Sequence, residues 1–320
     1  MSADRRPLAV AVMGPTASGK TAFAVDWAEA LDTEVVSVDS ALVYRRMDIG
    51  SAKPDAETLR RAPHRLIDLR DPHEPWSAAD FARVALAAMQ DLAARGRVPL
   101  LVGGTGLYFK ALLEGLADMP ESDPATRAAL HAELADRGLP ELHRELSLVD
   151  PLAAARIRQG DTQRTLRALE VFRISGRPIS AWQAESGARS RFPFRVLKVV
   201  LAPDDRQRLH ERVATRFARM LSDGFLDEVR ALREDSRLHP DLPAMRAVGY
   251  RQAWAYLDGV TTEAGFIEQG VAATRHLAKR QLTWLRGQHD ALWFDPERER
   301  ARLDAVMRAF LPTAAGTPLR

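Results

Sequence analysis

The sequence predicts an α/β protein: a parallel sheet with helices on both faces, interrupted by a helical insertion. Three features predict it. Short continuous apolar runs of strand length alternate with helical stretches through the N-terminal third. A glycine-rich turn separates the first apolar run from the first helix. From Asp123 to Gly187 helix signals follow one another with no convincing strand between them.

In chain order, Leu8–Met13 (LAVAVM) is apolar throughout, as a parallel strand buried on both faces requires. Thr21–Leu31 follows with Phe23, Trp27, Ala30 and Leu31 at helical spacing. Glu34–Asp39 (EVVSVD) is a second, valine-rich strand that ends on an acid. Ser77–Arg95 is a helix opened by a Ser77/Asp80 capping box and closed by Gly96. Val98–Val102 (VPLLV) is a third strand, closed by Gly103-Gly104-Thr105-Gly106. Strand, helix and strand repeated in this way build a parallel sheet. Ala125–Arg137, Glu141–Val149, Pro151–Arg158 and Thr162–Ser175 read as helices, several opened by proline. Strand character returns at Val196–Leu201. Helices are then expected at Arg206–Leu221, Phe225–Glu234, Met245–Leu257 and Glu263–Arg286, a last short strand at Leu292–Phe294, and a closing helix at Pro296–Phe310. The expected organisation is a first core part at 1–114, a helical insertion at 115–192, the rest of the core at 193–311 and a loose tail at 312–320. Trp254 and Trp293 read as core aromatics.

Composition narrows the class. A chain of 320 residues, 46% hydrophobic and 28% charged, has the make-up of a globular enzyme. It contains no cysteine, which removes disulfides and thiolate metal sites and suits a reducing cytoplasm. Met1–Pro7 is short and polar, so no signal peptide is expected, and no apolar run reaches membrane-span length. A net charge of +3 permits a phosphate-rich partner without demanding one.

The chemistry starts at Gly14-Pro15-Thr16-Ala17-Ser18-Gly19-Lys20-Thr21, which fits G-x-x-x-x-G-K-[ST] between a strand and a helix. This P-loop, a nucleotide-binding and ATP-binding pattern in many proteins, curls the backbone so that several N–H groups face one anion. The helix dipole adds to them. Lys20 reaches the outer phosphate, and Thr21 offers a hydroxyl to Mg²⁺. The pattern implies a diphosphate or triphosphate, not hydrolysis. Val98–Val102 ends on glycines where many NTPases keep an acid. Only the second strand ends on one, Asp39, followed by Ser40, Ala41 and Leu42. At a strand's C-terminal end Asp39 could hold metal, cap a turn or accept a proton. The Gly103–Tyr108 loop, with Thr105 at its mouth, is either a second anion site or a tight strand-to-helix turn.

Basic clusters follow. Arg156–Arg191 holds eight arginines and a local net charge of +5. Within it Gln163-Arg164-Thr165-Leu166-Arg167 groups long side chains in one helical turn, suited to phosphates and base edges or to a solvated face. Arg212 and Arg216 share a helix face, which favours an anion or nearby acids. Arg246-Ala247-Val248-Gly249-Tyr250-Arg251 sets two arginines and a tyrosine about a glycine. Arg275–Arg286, containing Lys279 and Arg280, is a basic helix with an indole.

The ordered set Gly14–Thr21, Asp39–Tyr44, Gly103–Tyr108, Asp161–Glu170, Arg246–Arg251 and Arg275–Arg286 resembles the tRNA dimethylallyltransferase (tRNA isopentenyltransferase) family of bacterial type. It spans nearly the whole chain. The resemblance implies a prenyltransferase that moves the dimethylallyl group of dimethylallyl diphosphate, with Mg²⁺, onto the exocyclic amine of the adenosine 3′ of the anticodon. It implies that Asp39 is the base and that Thr105 lies at the reaction channel. It implies further that Thr16–Thr21 and Arg216, with Arg212, hold the diphosphate. Asp39–Leu42, Gln163–Arg167 and Arg246–Arg251, with Lys279 and Arg280, would contact the tRNA anticodon stem-loop. A cytoplasmic monomer is expected. Many eukaryotic members carry a C-terminal zinc finger, which a chain without cysteine lacks. The rival readings are a P-loop kinase, a prenyltransferase acting on a free adenine nucleotide, and an RNA-binding protein with a remnant P-loop.

Overall fold

The computed structural model describes residues 4–185 and 192–311. The chain divides into two compact units: residues 1–113 with 192–320, and residues 114–191.

The first unit is built on a six-stranded sheet, all of whose pairings are parallel. Its strands are β1 (Leu8–Met13), β2 (Val35–Val38), β3 (His64–Arg65), β4 (Leu100–Gly103), β5 (Arg195–Leu201) and β6 (Leu292–Phe294), in the order β3-β2-β4-β1-β5-β6. Alternate side chains go to opposite faces, so each face needs its own cover. Ala9, Ala11 and Met13 join a core closed by α3 (Ala78–Ala94) and α4 (Gly106–Leu113), with Phe81 stacked on Tyr108 at 4.3 Å between ring centroids. Val10 and Val12 join the other, covered by α1 (Lys20–Ala30) and α14 (Arg300–Phe310). The Ser77/Asp80 capping box opens α3 as the sequence implied.

A third core joins α10 (Arg206–Ser222), α11 (Phe225–Arg233), α12 (Tyr250–Leu257) and α13 (Glu263–Leu285) to the segment after β2. Phe225 meets Tyr250 edge-on at 5.1 Å, and Val43, Tyr44 and Met47 pack on the same cluster. Glu228 ties this segment down. Its carboxylate accepts from the N–H groups of Asp48 (2.8 Å), Ile49 (2.6 Å) and Gly50 (3.1 Å), and from the Tyr250 hydroxyl (2.6 Å). Gly50 is obligatory here: a Cβ would lie 2.1 Å from the Phe225 ring.

Among the described residues the regular elements of the second unit are helices: α5 (Pro124–Arg137), α6 (Leu139–Val149), α7 (Pro151–Arg156), α8 (Thr162–Ser175) and α9 (Ile179–Glu185). They close around Leu130, Leu142, Leu146, Leu166 and Leu169.

Several expectations change. The helix expected from Met245 begins only at Tyr250, because Gly249 sits at φ 93° and its N–H is taken by Gln252 Oε1 at 2.9 Å. The closing helix begins at Arg300 rather than Pro296. The short helix α2 (Ala56–Arg61) and β3 had no sequence signal of their own. Trp254 is buried, but Trp293 is 38% exposed on the edge strand β6. The tail expected at 312–320 lies outside the described residues, as do Arg189 and Arg191 of the basic stretch.

Candidate active site

The site grows from the register of three neighbouring strands. Met13 of β1 and Val38 of β2 both pair with Gly103 of β4, so all three strands reach the same level at their C-terminal ends. The loops that follow therefore start side by side, where open α/β sheets bind ligands. After β1 comes the P-loop. Ala17 (φ 62°) and Gly19 (φ 87°) are left-handed, the alternation that turns successive N–H groups into one concavity. Ser18 is fully buried, and its hydroxyl has no partner among the described residues. Lys20 Nζ donates to the Pro15 carbonyl at 3.2 Å. Burial pushes the Lys20 ammonium down to about 8, with nearby Asp39 opposing and Arg216 assisting the shift. Burial also lowers Arg216, against the same Asp39. Lys20, Asp39 and Arg216 thus form one electrostatic group with an excess of positive charge.

After β2, the Asp39 carboxylate accepts from the Ala41 N–H at 2.8 Å, which fixes its turn. After β4, the Thr105 N–H donates to the Val38 carbonyl at 3.3 Å, and the Thr105 hydroxyl accepts from the Ser40 N–H at 3.2 Å. The loops that carry Asp39 and Thr105 are thereby joined through Val38 and Ser40. The glycines of this loop are accounted for by close approach: an added Cβ would lie 2.0 Å from the Val38 carbonyl at Gly103, 2.3 Å from Gln281 at Gly104, and 2.4 Å from the Trp284 ring at Gly106. The tight-turn reading of Gly103–Gly106 therefore has its physical cause. Trp284 is spent on this packing and on stacking with Phe109.

These loops open on one cavity of about 440 Å³. It brings together Thr16, Lys20 and Thr21; Asp39, Ser40, Ala41 and Leu42; Thr105; Arg216; Arg246, Ala247, Val248, Gly249 and Tyr250; and Arg280. Apolar walls complete it, among them Val213, Phe217 and Leu277. An anion fits beside Lys20 and Arg216, an apolar group against those walls, and a proton acceptor stands at Asp39. Among the described residues no group of three or more His, Cys, Asp or Glu could hold a metal by itself. Thr21 and Asp39 offer oxygen donors, enough for a Mg²⁺ ion that keeps phosphate oxygens and water as its other ligands.

Other sequence-selected residues stand elsewhere. Arg212 does not line this cavity; it pairs with Glu297 in a neighbouring cleft lined also by Arg208, Arg216 and Arg219, which meets the need for a nearby acid. Tyr250 is fully buried with its hydroxyl on Glu228, so only its edge borders the cavity. Arg251 and Lys279 are exposed outside it. In the helical unit Thr165 and Leu166 point into the core, since neighbours on a helix cannot all face outward. Arg167 is anchored internally, donating to Glu170 at 2.8 Å and to the Pro120 carbonyl at 2.7 Å. Arg173 is matched by Glu133 and Glu145, acids from α5 and α6 that the local charge count left out. Arg158, Gln163 and Arg164 remain exposed. Within the Arg275–Arg286 stretch, sequence reasoning chose Lys279 and Arg280 and passed over Gln281, which joins the P-loop to the Gly104 carbonyl; it also missed Glu228. Each is one polar residue inside an amphipathic helix.

Comparison with known proteins follows the same lines. The model of the IPP transferase family matches residues 42–288. A tRNA dimethylallyltransferase of Stenotrophomonas maltophilia (strain R551-3) is 58% identical over 316 residues, covering 97% of this chain and 99% of its own. One from Xanthomonas campestris pv. campestris (strain 8004) is 58% identical, covering 97% and 96%. Among solved structures, the full-length tRNA isopentenylpyrophosphate transferase from Bacillus halodurans superposes with a TM-score of 0.70 at 35% identity, over 96% of this chain and 97% of that one. A eukaryotic dimethylallyltransferase solved acting on tRNA has a TM-score of 0.76 at 21% identity, over 95% and 78%, a likeness of fold.

Proposed function

The chain belongs to the IPP transferase family, and from that premise we propose that it is a tRNA dimethylallyltransferase: it transfers the dimethylallyl group of dimethylallyl diphosphate to the N6 amine of the adenosine 3′ of the anticodon, releasing pyrophosphate. The observation that carries the reading is the single cavity that holds a P-loop, a facing arginine and a strand-ending carboxylate beside apolar walls.

The N6 nitrogen attacks the allylic methylene carbon. The carbon–oxygen bond breaks, and the diphosphate leaves with the bonding pair. The N6 proton passes to Asp39, which the Ala41 N–H holds in place on a loop tied to Thr105 through Ser40. Charge moves toward the diphosphate as the bond breaks. Lys20, Arg216 and the P-loop N–H groups meet that charge in a site already built for it. Mg²⁺, held by Thr21 with Asp39 nearby, would neutralise part of the diphosphate charge. The base must leave the anticodon-loop stack to reach the cavity. Exposed Gln163 and Arg164 of the helical unit, and Arg246 and Arg280 at the cavity, are the tRNA contacts of this reading. It works as a cytoplasmic monomer.

The test is labelled dimethylallyl diphosphate offered with unmodified tRNA, AMP or ATP. Label should enter tRNA alone. Label in AMP would favour the free-nucleotide prenyltransferase.

A further inference from the structure

On the function proposed above, the reaction has two halves, and its rate depends on the distance between them. The diphosphate sits on the loop after β1, and the acceptor base sits beside Asp39 and Thr105 on the loops after β2 and β4. One side chain reaches both. Gln281 of α13 accepts from the Thr16 N–H through Oε1 at 2.8 Å and donates through Nε2 to the Gly104 carbonyl at 3.0 Å. An N–H on one side and a carbonyl on the other fix which way round the amide lies. Both ends are used, one on each loop.

The connection continues beyond Gly104. Thr105 is bonded to the Val38 carbonyl and to the Ser40 N–H, and Asp39 to the Ala41 N–H. Hydrogen bonds, joined by the short stretches of backbone at Gly104–Thr105 and Asp39–Ala41, therefore connect the P-loop to the loop that carries the carboxylate. The fit at Gln281 is close: a Cβ at Gly104 would stand 2.3 Å from Nε2 and 2.8 Å from the Gly14 carbonyl. Trp284, one turn further along α13, seats against Gly106 in the same way. The helix is registered on the loop at two points, so Gln281 has little freedom to follow a loop that moves.

We propose that Gln281 is a positioning residue that sets the separation between the departing diphosphate and the attacking amine. It takes no proton and forms no bond to substrate. Its contribution lies in holding two loops in the geometry of reaction, where a displacement of about 1 Å costs on the order of 100-fold in rate.

The experiment uses the full chain with Gln281→Met, which keeps length and bulk but loses both hydrogen bonds, and Gln281→Glu. The glutamate keeps an acceptor for the Thr16 N–H and sets a carboxylate against the Gly104 carbonyl. Three quantities are measured: the dissociation constants of dimethylallyl diphosphate and of tRNA, and the single-turnover rate at saturation of both. Both variants should lose roughly 10–100-fold in the saturated rate, while each dissociation constant changes less than about threefold. A wild-type saturated rate in either variant overturns the proposal. So does a loss confined to the diphosphate dissociation constant, which would make Gln281 a ligand-binding group rather than a spacer. If Gln281→Met fails to fold, Gln281→Glu decides alone by the same criteria. Absence of transfer by the unaltered protein would count against the function itself and not against the role of Gln281.

Discussion

Lys20 offers a prediction whose sign and size both follow from the structure. Burial lowers its ammonium to about 8, so in the free protein it is charged below that pH and neutral above it. A diphosphate on the P-loop requires the charged form. Below pH 8 binding leaves the proton count unchanged; above it, binding must draw a proton from solution. Affinity for dimethylallyl diphosphate should therefore be flat from pH 7 to just below 8, then fall about tenfold, or 1.36 kcal/mol, for each further pH unit. The substrate's own last ionisation, near pH 6 for phosphate esters, lies outside this window. Lys20→Met should remove a charge-assisted contact of about 1.5–3 kcal/mol, roughly 10–150-fold in affinity near neutral pH, and abolish the slope above pH 8. Calorimetry in two buffers of different ionisation enthalpy reads the proton uptake directly. Affinity that stays level from pH 7 to 9.5, or a slope that survives in Lys20→Met, would refute the reasoning.

Two further predictions concern Asp39 and the helical unit. Asp39→Asn keeps an acceptor for the Ala41 N–H but cannot take a proton, so tRNA binding should persist while single-turnover transfer slows roughly 10²–10⁴-fold; near-normal transfer would remove Asp39 from the mechanism. Arg164→Ala and Arg167→Ala should part company: exposed Arg164 should weaken tRNA binding and reduce the steepness of its salt dependence with no change in stability. Arg167→Ala strips a donor from buried Glu170. Burial pushes that carboxyl up, yet hydrogen bonds from Ser122 and Arg167 hold it below its ordinary value, so about 1.5–3 kcal/mol of local stability should be lost. Hydrogen exchange in α8 measures it, and unchanged protection would contradict the assignment.

The elements that were legible in the sequence are those whose cause is local. The P-loop shows because its backbone geometry demands glycine at fixed spacing, and β1 shows because a strand buried on both faces has no polar position. Asp39 was visible as an acid ending a strand, although its alignment with Gly104 depends on the pairing of Val38 with Gly103. What was not legible depends on residues far apart in the chain. Glu133 and Glu145 neutralise Arg173 from other helices, which no window around Arg173 contains. The ion pair of Arg212 was not legible because its partner, Glu297, lies beyond β6. The break before Tyr250 follows from one left-handed glycine in a stretch whose apolar spacing otherwise suits a helix.

In the proposed reaction the P-loop holds the group that leaves rather than an energy source. Purified protein is given Mg²⁺, unmodified tRNA and dimethylallyl diphosphate with no nucleotide present, and the prenylated adenosine and released pyrophosphate are counted together. Steady turnover is expected, with one pyrophosphate for each dimethylallyl group found on the N6 of that adenosine. A reaction that stalls until ATP is added, and then releases ADP in step with product, would contradict it.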